Sequence, residues 1–240
     1  MKSRIVNIVL LIMSVAATLL VIQKLPEIVP VHFDQYGVAD GWGSRYQLLI
    51  FPGIILMMQL IGELCTYHYK KSLADCTDEK KSAELSSNLK ILNIVFVITS
   101  ALLLVINGVV LYMTLAQIDN QGLQNNLDIV KIEVIALGIF YIILGNFMPK
   151  TRINGLVGFR CKWTMYNDVT WKKSNYFGAV GMMILGFLTV IAGIAFDGIS
   201  GIAVMLALLT VFIIVILIYA FKVYKKEIAK ENLEKNMKNN

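Results

Sequence analysis

The chain has 240 residues, of which 57% are hydrophobic and only 16% are charged, and its formal net charge is +6. A soluble domain carries about a quarter charged residues, so this composition excludes an ordinary soluble protein and makes the lipid bilayer the first expected partner. The excess of lysine does not indicate nucleic-acid binding, because lysines beside membrane helices record the orientation of insertion. We therefore expect no direct nucleic-acid partner.

Six apolar stretches are long enough to cross the hydrocarbon core of a membrane. Each must be helical, because lipid offers the backbone no other hydrogen-bond partner. The first stretch starts like a signal peptide, but its core is too long and no small-x-small cleavage site follows it. The sequence thus predicts an all-α integral membrane protein, a bundle of six transmembrane helices, at residues 5–22, 48–67, 91–115, 130–147, 177–196 and 199–221.

The lysines and arginines are distributed unevenly between the connecting segments. Alternate segments hold 19 of the 22, and the positive-inside rule then places both termini in the cytoplasm. The predicted domain organisation follows from this topology. It comprises a two-span unit at 1–69 with an ordered extracellular loop at 24–46, a charged cytoplasmic linker at 70–90, a four-span domain at 91–226 with a cytoplasmic motif loop at 146–178, and a charged tail at 227–240.

The cysteines would lie at or within the cytoplasmic side, where disulfides are rare. They are Cys65, Cys76 and Cys161, and none is spaced with histidines as a zinc site requires. We expect ordinary reduced thiols. The linker at 70–90 mixes lysines with acidic residues, which is typical of a solvated helical hairpin or of a helix extension.

The first outer loop is rich in turn-forming and aromatic residues. Its prolines favour an extended start, with a strand-like segment at 29–33, and Gly37 and Asp40-Gly41 indicate turns. We expect an ordered loop, with Phe33, Tyr36 and Trp42 packed over the helix ends. Its candidate functional residues are Pro30, His32, Phe33, Gly37, Asp40 and Gly41.

His32 could bind metal together with Asp34 and Asp40, or could sense pH. One histidine and two aspartates are fewer ligands than a transition-metal site normally has. We therefore expect no metal, and we expect His32 to hydrogen-bond the loop backbone. Inside the spans, Asn107 is interpreted as an interhelical hydrogen-bond clasp, with a transport site as the alternative.

The fourth loop is the longest polar stretch rich in Gly, Asn, Arg and Trp. Pro149 ends the span before it, Asn167 is a plausible N-cap, and a helix from Asp168 would place Trp171 and Asn175 on one stripe. An interfacial loop is the alternative, with Trp163, Trp171 and Tyr176 as an aromatic belt. The candidate functional residues are Asn146, Pro149, Lys150, Arg152, Asn154, Gly158, Arg160, Trp163, Thr164, Asn167, Trp171 and Asn175.

Arg160 is the residue on which this interpretation of the loop depends most. Its guanidinium presents a planar fork of donors, which we expect to bind the carbonyl ends of neighbouring helices or a partner protein. Asn154, Thr164 and Asn167 would fix the loop through local bonds from side chain to backbone.

The pattern Asn-x-Met-Pro-Lys-x-Arg-x-Asn-x-x-x-Gly-x-Arg at 146–160, followed by Trp163-Thr164, resembles the SdpI family of bacterial membrane proteins. The outer loop is similar to a companion domain of unknown function that often precedes the SdpI domain. The chain departs from many family members at Cys161-Lys162, where they have Thr-Pro.

The resemblance implies a multi-pass protein of the bacterial plasma membrane that confers immunity to a secreted, sporulation-delaying toxin peptide. It also implies signalling, in which a cytoplasmic repressor is retained at the membrane. The toxin would meet the outer loops and the repressor the fourth loop.

Two other functional classes compete with immunity. An enzyme is not indicated, because the sequence contains no Ser/His/Asp set, no paired carboxylates and no phosphate loop, and His32 and His68 are predicted on opposite faces. A small transporter or permease is the alternative, but matching broken helices are not seen. We expect no cofactor and no catalysis.

The topology can be tested by labelling. After replacement of the native cysteines, single cysteines at Gln35 or Gln121 are expected to react in intact cells with a membrane-impermeant thiol reagent. Cysteines at Ser82 or Asn167 are expected to stay unlabelled, because the charge distribution places them in the cytoplasm. Labelling at Ser82 would overturn the topology.

Overall fold

The computed structural model describes residues 2–34, 37–119 and 128–239, so Gln35, Tyr36 and Gln121 lie outside the described residues. Within that part of the chain, six helices are long and apolar enough to cross a membrane, which confirms the predicted fold class. They are α1 Lys2–Ile22, α2 Ile50–Ala74, α3 Glu79–Asp119, α4 Ile129–Phe147, α5 Asp168–Ala195 and α6 Ile199–Asn239.

An even number of spans brings both chain ends to one side of the bundle, which we call the terminal face. This face also carries the connection between α2 and α3 and the fourth loop, residues 148–167. The opposite side, the hairpin face, carries two short strands, β1 Ile28–Phe33 and β2 Ala39–Ser44. That the terminal face is cytoplasmic stays a prediction from the charges.

α3 and α6 each contain 41 residues, about 60 Å of helix at 1.5 Å per residue. This is about twice the hydrocarbon thickness of a bilayer, so both helices extend well beyond it. Because α2 reaches Ala74 and α3 begins at Glu79, the predicted linker at 70–90 is mainly helix extension, with a connection of only residues 75–78. The predicted tail at 227–240 continues α6 as far as Asn239.

The outer loop is an antiparallel hairpin, in which Val29 pairs with Gly43 and Pro30 with Trp42. The strand-like segment at 29–33 is confirmed, but the second strand falls where Asp40-Gly41 had indicated a turn. Glycine is needed there because the strands approach closely: a Cβ on Gly41 would lie 2.8 Å from the Cβ of His32.

The hairpin is anchored through residues that the sequence did not single out. Val29 is fully buried in a core with Leu48 and Leu111, and Thr114 of α3 donates a 3.1 Å hydrogen bond to Pro30 O. Arg45 donates to Leu25 O at 2.7 Å. These contacts tie the hairpin to the helix bundle, and order along the whole loop stays a prediction.

The expected packing of the hairpin aromatics is corrected. Trp42 is 58% exposed, Phe33 is half-buried and Tyr36 lies outside the described residues. Trp42 pairs with Pro30 across the hairpin, whereas the residue buried in the core below, Val29, pairs with Gly43 and so lies on the other face.

α4 and α5 lie in backbone contact along glycines. A Cβ on Gly186 would lie 2.6 Å from Gly138 O, and one on Gly145 would lie 2.8 Å from Ala179 O. Membrane helices associate through such small residues, because close approach maximises van der Waals contact where lipid removes the hydrophobic driving force. This contact fixes the position of α5, the helix on which the fourth loop packs.

The predicted clasp at Asn107 is confirmed. Its side chain is fully buried, and its Nδ2 donates to Ser14 Oγ at 2.9 Å and to Thr18 Oγ1 at 3.2 Å. These bonds join α3 to α1 within the membrane. The amide is occupied by structural partners on both hydrogens.

The close approach of α4 and α5 predicts a specific sensitivity. Gly186→Ala is expected to lower stability by about 1–3 kcal/mol, because the added methyl group forces the two backbones apart. Gly108→Ala is the matched control, since no atom lies within 4 Å of its added Cβ. Thermal unfolding in detergent measures both changes; an unchanged midpoint for Gly186→Ala would contradict the described packing.

Candidate functional site

α4 ends abruptly where the fourth loop begins. Met148–Lys150 forms a single 3-10 turn with Pro149 near its start, and proline cannot continue the hydrogen-bond ladder. Thr151 closes the turn, because its backbone N–H and its hydroxyl both donate to Met148 O, at 3.1 and 2.8 Å. The chain then leaves the helix axis in a fixed direction.

Asn154 folds the next segment with four local hydrogen bonds. Its Nδ2 donates to Arg152 O and Val157 O at 2.7 and 2.8 Å. Its Oδ1 accepts from the N–H groups of Leu156 and Val157, both at 2.7 Å. One side chain thus satisfies four backbone groups of a loop that has no secondary structure of its own. The fixing role expected for Asn154 is confirmed.

The loop returns onto the first turns of α5. Gly158 has φ +125°, and a Cβ there would lie 2.7 Å from Asn175 Oδ1 and 2.9 Å from the Trp171 ring. Asn175 Oδ1 accepts from Phe159 N at 2.8 Å, and its Nδ2 donates to Trp171 O at 3.1 Å. Only glycine permits both this backbone conformation and this approach.

Trp171 and Asn175 are both 1% exposed. The indole Nε1 of Trp171 donates a 3.1 Å hydrogen bond to Thr151 O, which ties the start of the loop to α5. The predicted stripe on one side of α5 is therefore confirmed, and the aromatic-belt alternative is wrong for Trp171. Tyr176, in contrast, is 61% exposed, as a belt residue would be.

The N-terminus of α5 is capped as predicted. Asn167 Oδ1 accepts from Thr170 N at 2.9 Å, while Asn167 N donates to Thr170 Oγ1 at 3.0 Å. This reciprocal capping box satisfies two of the helix's free N–H groups. Thr164, also buried, accepts from Cys161 N at 3.0 Å and lies 2.7 Å from Phe159 O, which confirms its local role.

α3 supplies contacts to the loop that the sequence analysis missed. The buried Asn88 accepts a 2.8 Å hydrogen bond from Arg152 N, and Ser87 Oγ donates to Lys150 O at 3.0 Å. Lys80 lies 3.6 Å from Asp168. Extending the helical periodicity of the third span upstream of residue 91 would have placed these residues on α3 instead of in a linker.

α6 supplies the other side of the loop. Three aromatic pairs join the loop to α6, with ring centroids 5.0–5.5 Å apart: Phe159–Phe212, Trp163–Phe221 and Tyr166–Tyr224. The loop thereby covers a long stretch of α6, as far as Glu231.

Glu231 ends this contact by accepting from Tyr166 Oη at 2.6 Å and from Asn167 Nδ2 at 3.3 Å. The hydrogen bond to Glu231 raises the pKa of the Tyr166 phenol above its usual value. The phenol therefore stays protonated at neutral pH and can donate this hydrogen bond.

Two predicted site residues stand apart from this network. Asn146 is exposed and makes no hydrogen bond within the described residues. Arg160 is also exposed, and its guanidinium contacts no helix carbonyl in the described parts of the chain, so the first of its two expected partners is corrected. The preceding residues, Gly158 and Phe159, hold the backbone against α5, and the side chain of Arg160 is left exposed to solvent.

The exposed surface of the loop and of the start of α5 is positive. Six exposed cations surround the buried core, and none forms an ion pair within the described residues. We call this set the cationic rim: Lys150, Arg152, Arg160, Lys162, Lys172 and Lys173. A rigid platform with free cations suits binding of carboxylates or phosphates, whereas no nucleophile is paired with a base in this loop.

On the hairpin face, His32 contacts a side chain instead of the expected backbone group. Its Nδ1 lies 2.5 Å from Asp40 Oδ1. The turn is closed by Asp34, which accepts from Val38 N at 2.8 Å, and by Gly37 at φ +76°. Among the described residues, no three His, Cys, Asp or Glu side chains are grouped so as to hold a metal ion.

Two regions of the chain match models of known families. Residues 150–220 match the SdpI/YfhL protein family, and residues 9–56 match a domain of unknown function, DUF1648. The immunity protein SdpI of Bacillus subtilis (strain 168) is 24% identical over 226 residues, which cover 94% of this chain and 98% of that protein. No solved structure matches the chain.

The buried hydrogen bond of Trp171 can be tested separately from its bulk. Trp171→Phe is expected to cost about 1–3 kcal/mol, because Thr151 O loses its donor in a buried site. Hydrogen exchange at residues 151–158 should accelerate accordingly. Trp163→Phe is the matched control, because its ring packs on Phe221 from a half-exposed position; equal effects of the two changes would contradict the assigned role.

Proposed function

Because residues 150–220 match the SdpI/YfhL protein family, we propose that this chain protects a bacterium against a secreted peptide toxin of the sporulation-delaying type. The observation that carries the proposal is the similarity to the immunity protein SdpI along 94% of the chain. Part of the family motif also assembles into one hydrogen-bonded unit, which includes Thr151, Thr164, Trp171 and Asn175. The protein lies in the bacterial plasma membrane as a multi-pass protein.

In this proposal the hairpin face is extracellular and meets the toxin. Its orientation rests on the distribution of lysine and arginine. The exposed side chains of Ile28, Val38 and Trp42 form an apolar surface on a fixed hairpin. Such a surface suits an amphipathic or apolar peptide, because binding removes apolar area from water.

The terminal face would then bind a cytoplasmic repressor on the cationic rim. The rim is held by α3, α5 and α6, so a bound protein meets a preformed surface and loses little free energy to ordering it. A partner with exposed carboxylates would find six cations there that form no ion pair among the described residues. Binding without catalysis is what the arrangement of the loop supports.

α3 offers a route between the two faces. Thr114 contacts the hairpin and Asn88 contacts the fourth loop, and about 39 Å of continuous helix separates them at 1.5 Å per residue. We propose that toxin bound to the hairpin displaces α3 as a rigid element and thereby alters the cationic rim. The transport alternative has weaker support, because Asn107 is already occupied by Ser14 and Thr18.

The proposal is tested by expressing the chain in a bacterium that is sensitive to such a toxin. Survival close to that given by the Bacillus subtilis immunity protein is the expected result. A chain with Gly186→Ala, which weakens the bundle, should protect less. No protection at a membrane abundance equal to that of the reference protein would refute immunity against that toxin.

Arg160 provides a second test. Arg160→Lys keeps the charge but loses the planar fork, so we expect normal insertion with a loss of about 1–3 kcal/mol of partner binding. Repressor retention at the membrane, measured by fractionation, should fall. Lys173→Gln removes one of the six rim charges but no planar fork, so it should lower repressor retention less than Arg160→Lys and should keep signalling. Full activity of Arg160→Lys at equal abundance would remove Arg160 from the site.

A further inference from the structure

A polar cleft opens on the terminal face between α1, α2 and α3, away from the fourth loop. Its outer part has a volume of about 350 Å³ and is lined by Ser3, Arg4, Glu63, Thr66, Lys70 and Asn93. A deeper cavity of about 130 Å³ shares three of these residues and is walled by apolar side chains, among them Ile8, Leu56 and Leu60. The outer volume lies within the range of small-molecule sites, about 300–1,000 Å³.

Part of the cleft's polar lining is already bonded. Arg4 Nε lies 3.1 Å from Glu63, and Thr66 Oγ1 donates to Asn93 Oδ1 at 3.2 Å. Gln59 Nε2 donates to Asn7 O at 2.6 Å. These bonds hold α1 to α2, and α2 to α3, on either side of the opening.

Several strong hydrogen-bonding groups remain available. The terminal nitrogens of Arg4 and the ammonium of Lys70 have no partner among the described residues, and Asn7 Oδ1 is buried without a donor. The two cations indicate a ligand that carries a negative charge.

The charges favour one class of ligand. Arg4 and Lys70 exceed Glu63 by one positive charge, which matches the single negative charge of a phosphodiester. Charge-assisted hydrogen bonds from guanidinium and ammonium groups to phosphate oxygens are among the strong ones. Apolar side chains continue from the polar part toward the membrane interior, where acyl chains would lie, so a lipid fits the cleft better than a soluble phosphate.

We infer that this cleft binds the headgroup of one anionic phospholipid, phosphatidylglycerol. Its phosphodiester lies between Arg4 and Lys70, and its acyl chains follow the apolar side chains of the deeper cavity toward the membrane interior. The inference is independent of the proposed immunity function, because none of these residues belongs to the hairpin or to the fourth loop.

Native mass spectrometry of the full chain, purified with phosphatidylglycerol and phosphatidylethanolamine, tests the site. The wild type is expected to retain one phosphatidylglycerol in preference to phosphatidylethanolamine. Arg4→Gln with Lys70→Gln should reduce this retention about 10-fold or more. Lys2→Gln with Lys71→Gln is the matched control, because it removes the same charge from the same helix ends outside the cleft.

Each other outcome would overturn the inference. Equal loss in the control pair would indicate general attraction to the membrane surface, and equal retention of phosphatidylethanolamine would remove the charge selectivity. Displacement of the lipid by soluble glycerol 3-phosphate would indicate a phosphate site instead of a lipid site. If the double variant fails to fold, Lys70→Gln against Lys71→Gln decides, because Lys70 forms no ion pair within the described chain.

Discussion

The side-chain amide of Asn175 is the interaction on which the fourth loop depends. It accepts from Phe159 N and donates to Trp171 O, so it joins the loop backbone to the helix that the loop precedes. In a buried site such an amide has no water to replace either bond. The glycine contacts between α4 and α5 place Asn175 where the loop needs it, and the motif residues around it are therefore constrained by packing as much as by any partner.

The features that could be predicted from the sequence are those with a local signal. Hydropathy identifies the spans because lipid imposes helix on each long apolar run, and Asn167 could be recognised as a cap from its place before Asp168. Asn107 was predictable as a clasp because an amide in hydrocarbon must find a partner. Each of these expectations uses only a residue and its immediate neighbours in the chain.

The features that could not be predicted from the sequence depend on contacts between distant segments. Ser87 and Asn88 lie in a stretch whose charges resemble a linker, and only the continuation of α3 brings them to the loop. Phe212 and Phe221 cannot be distinguished from lipid-facing aromatics in a helix that is apolar on all sides. Strand β2 was missed because its glycines, which permit close strand pairing, are equally typical of turns. Arg160 was expected to bind helix carbonyls or a partner protein, and the absence of the first contact could be seen only once the positions of the helix ends were known.

The three tryptophans of the chain occupy three different environments. Trp42 is exposed on the hairpin, Trp163 is half-buried against Phe221, and Trp171 is sealed between the loop and α5. Indole emission shifts to longer wavelength as water gains access to the ring, so the chain contains its own optical reporters. Two-tryptophan replacements that leave one indole at a time would let fluorescence follow the hairpin, the loop surface and the loop core separately in an intact membrane, with no added label.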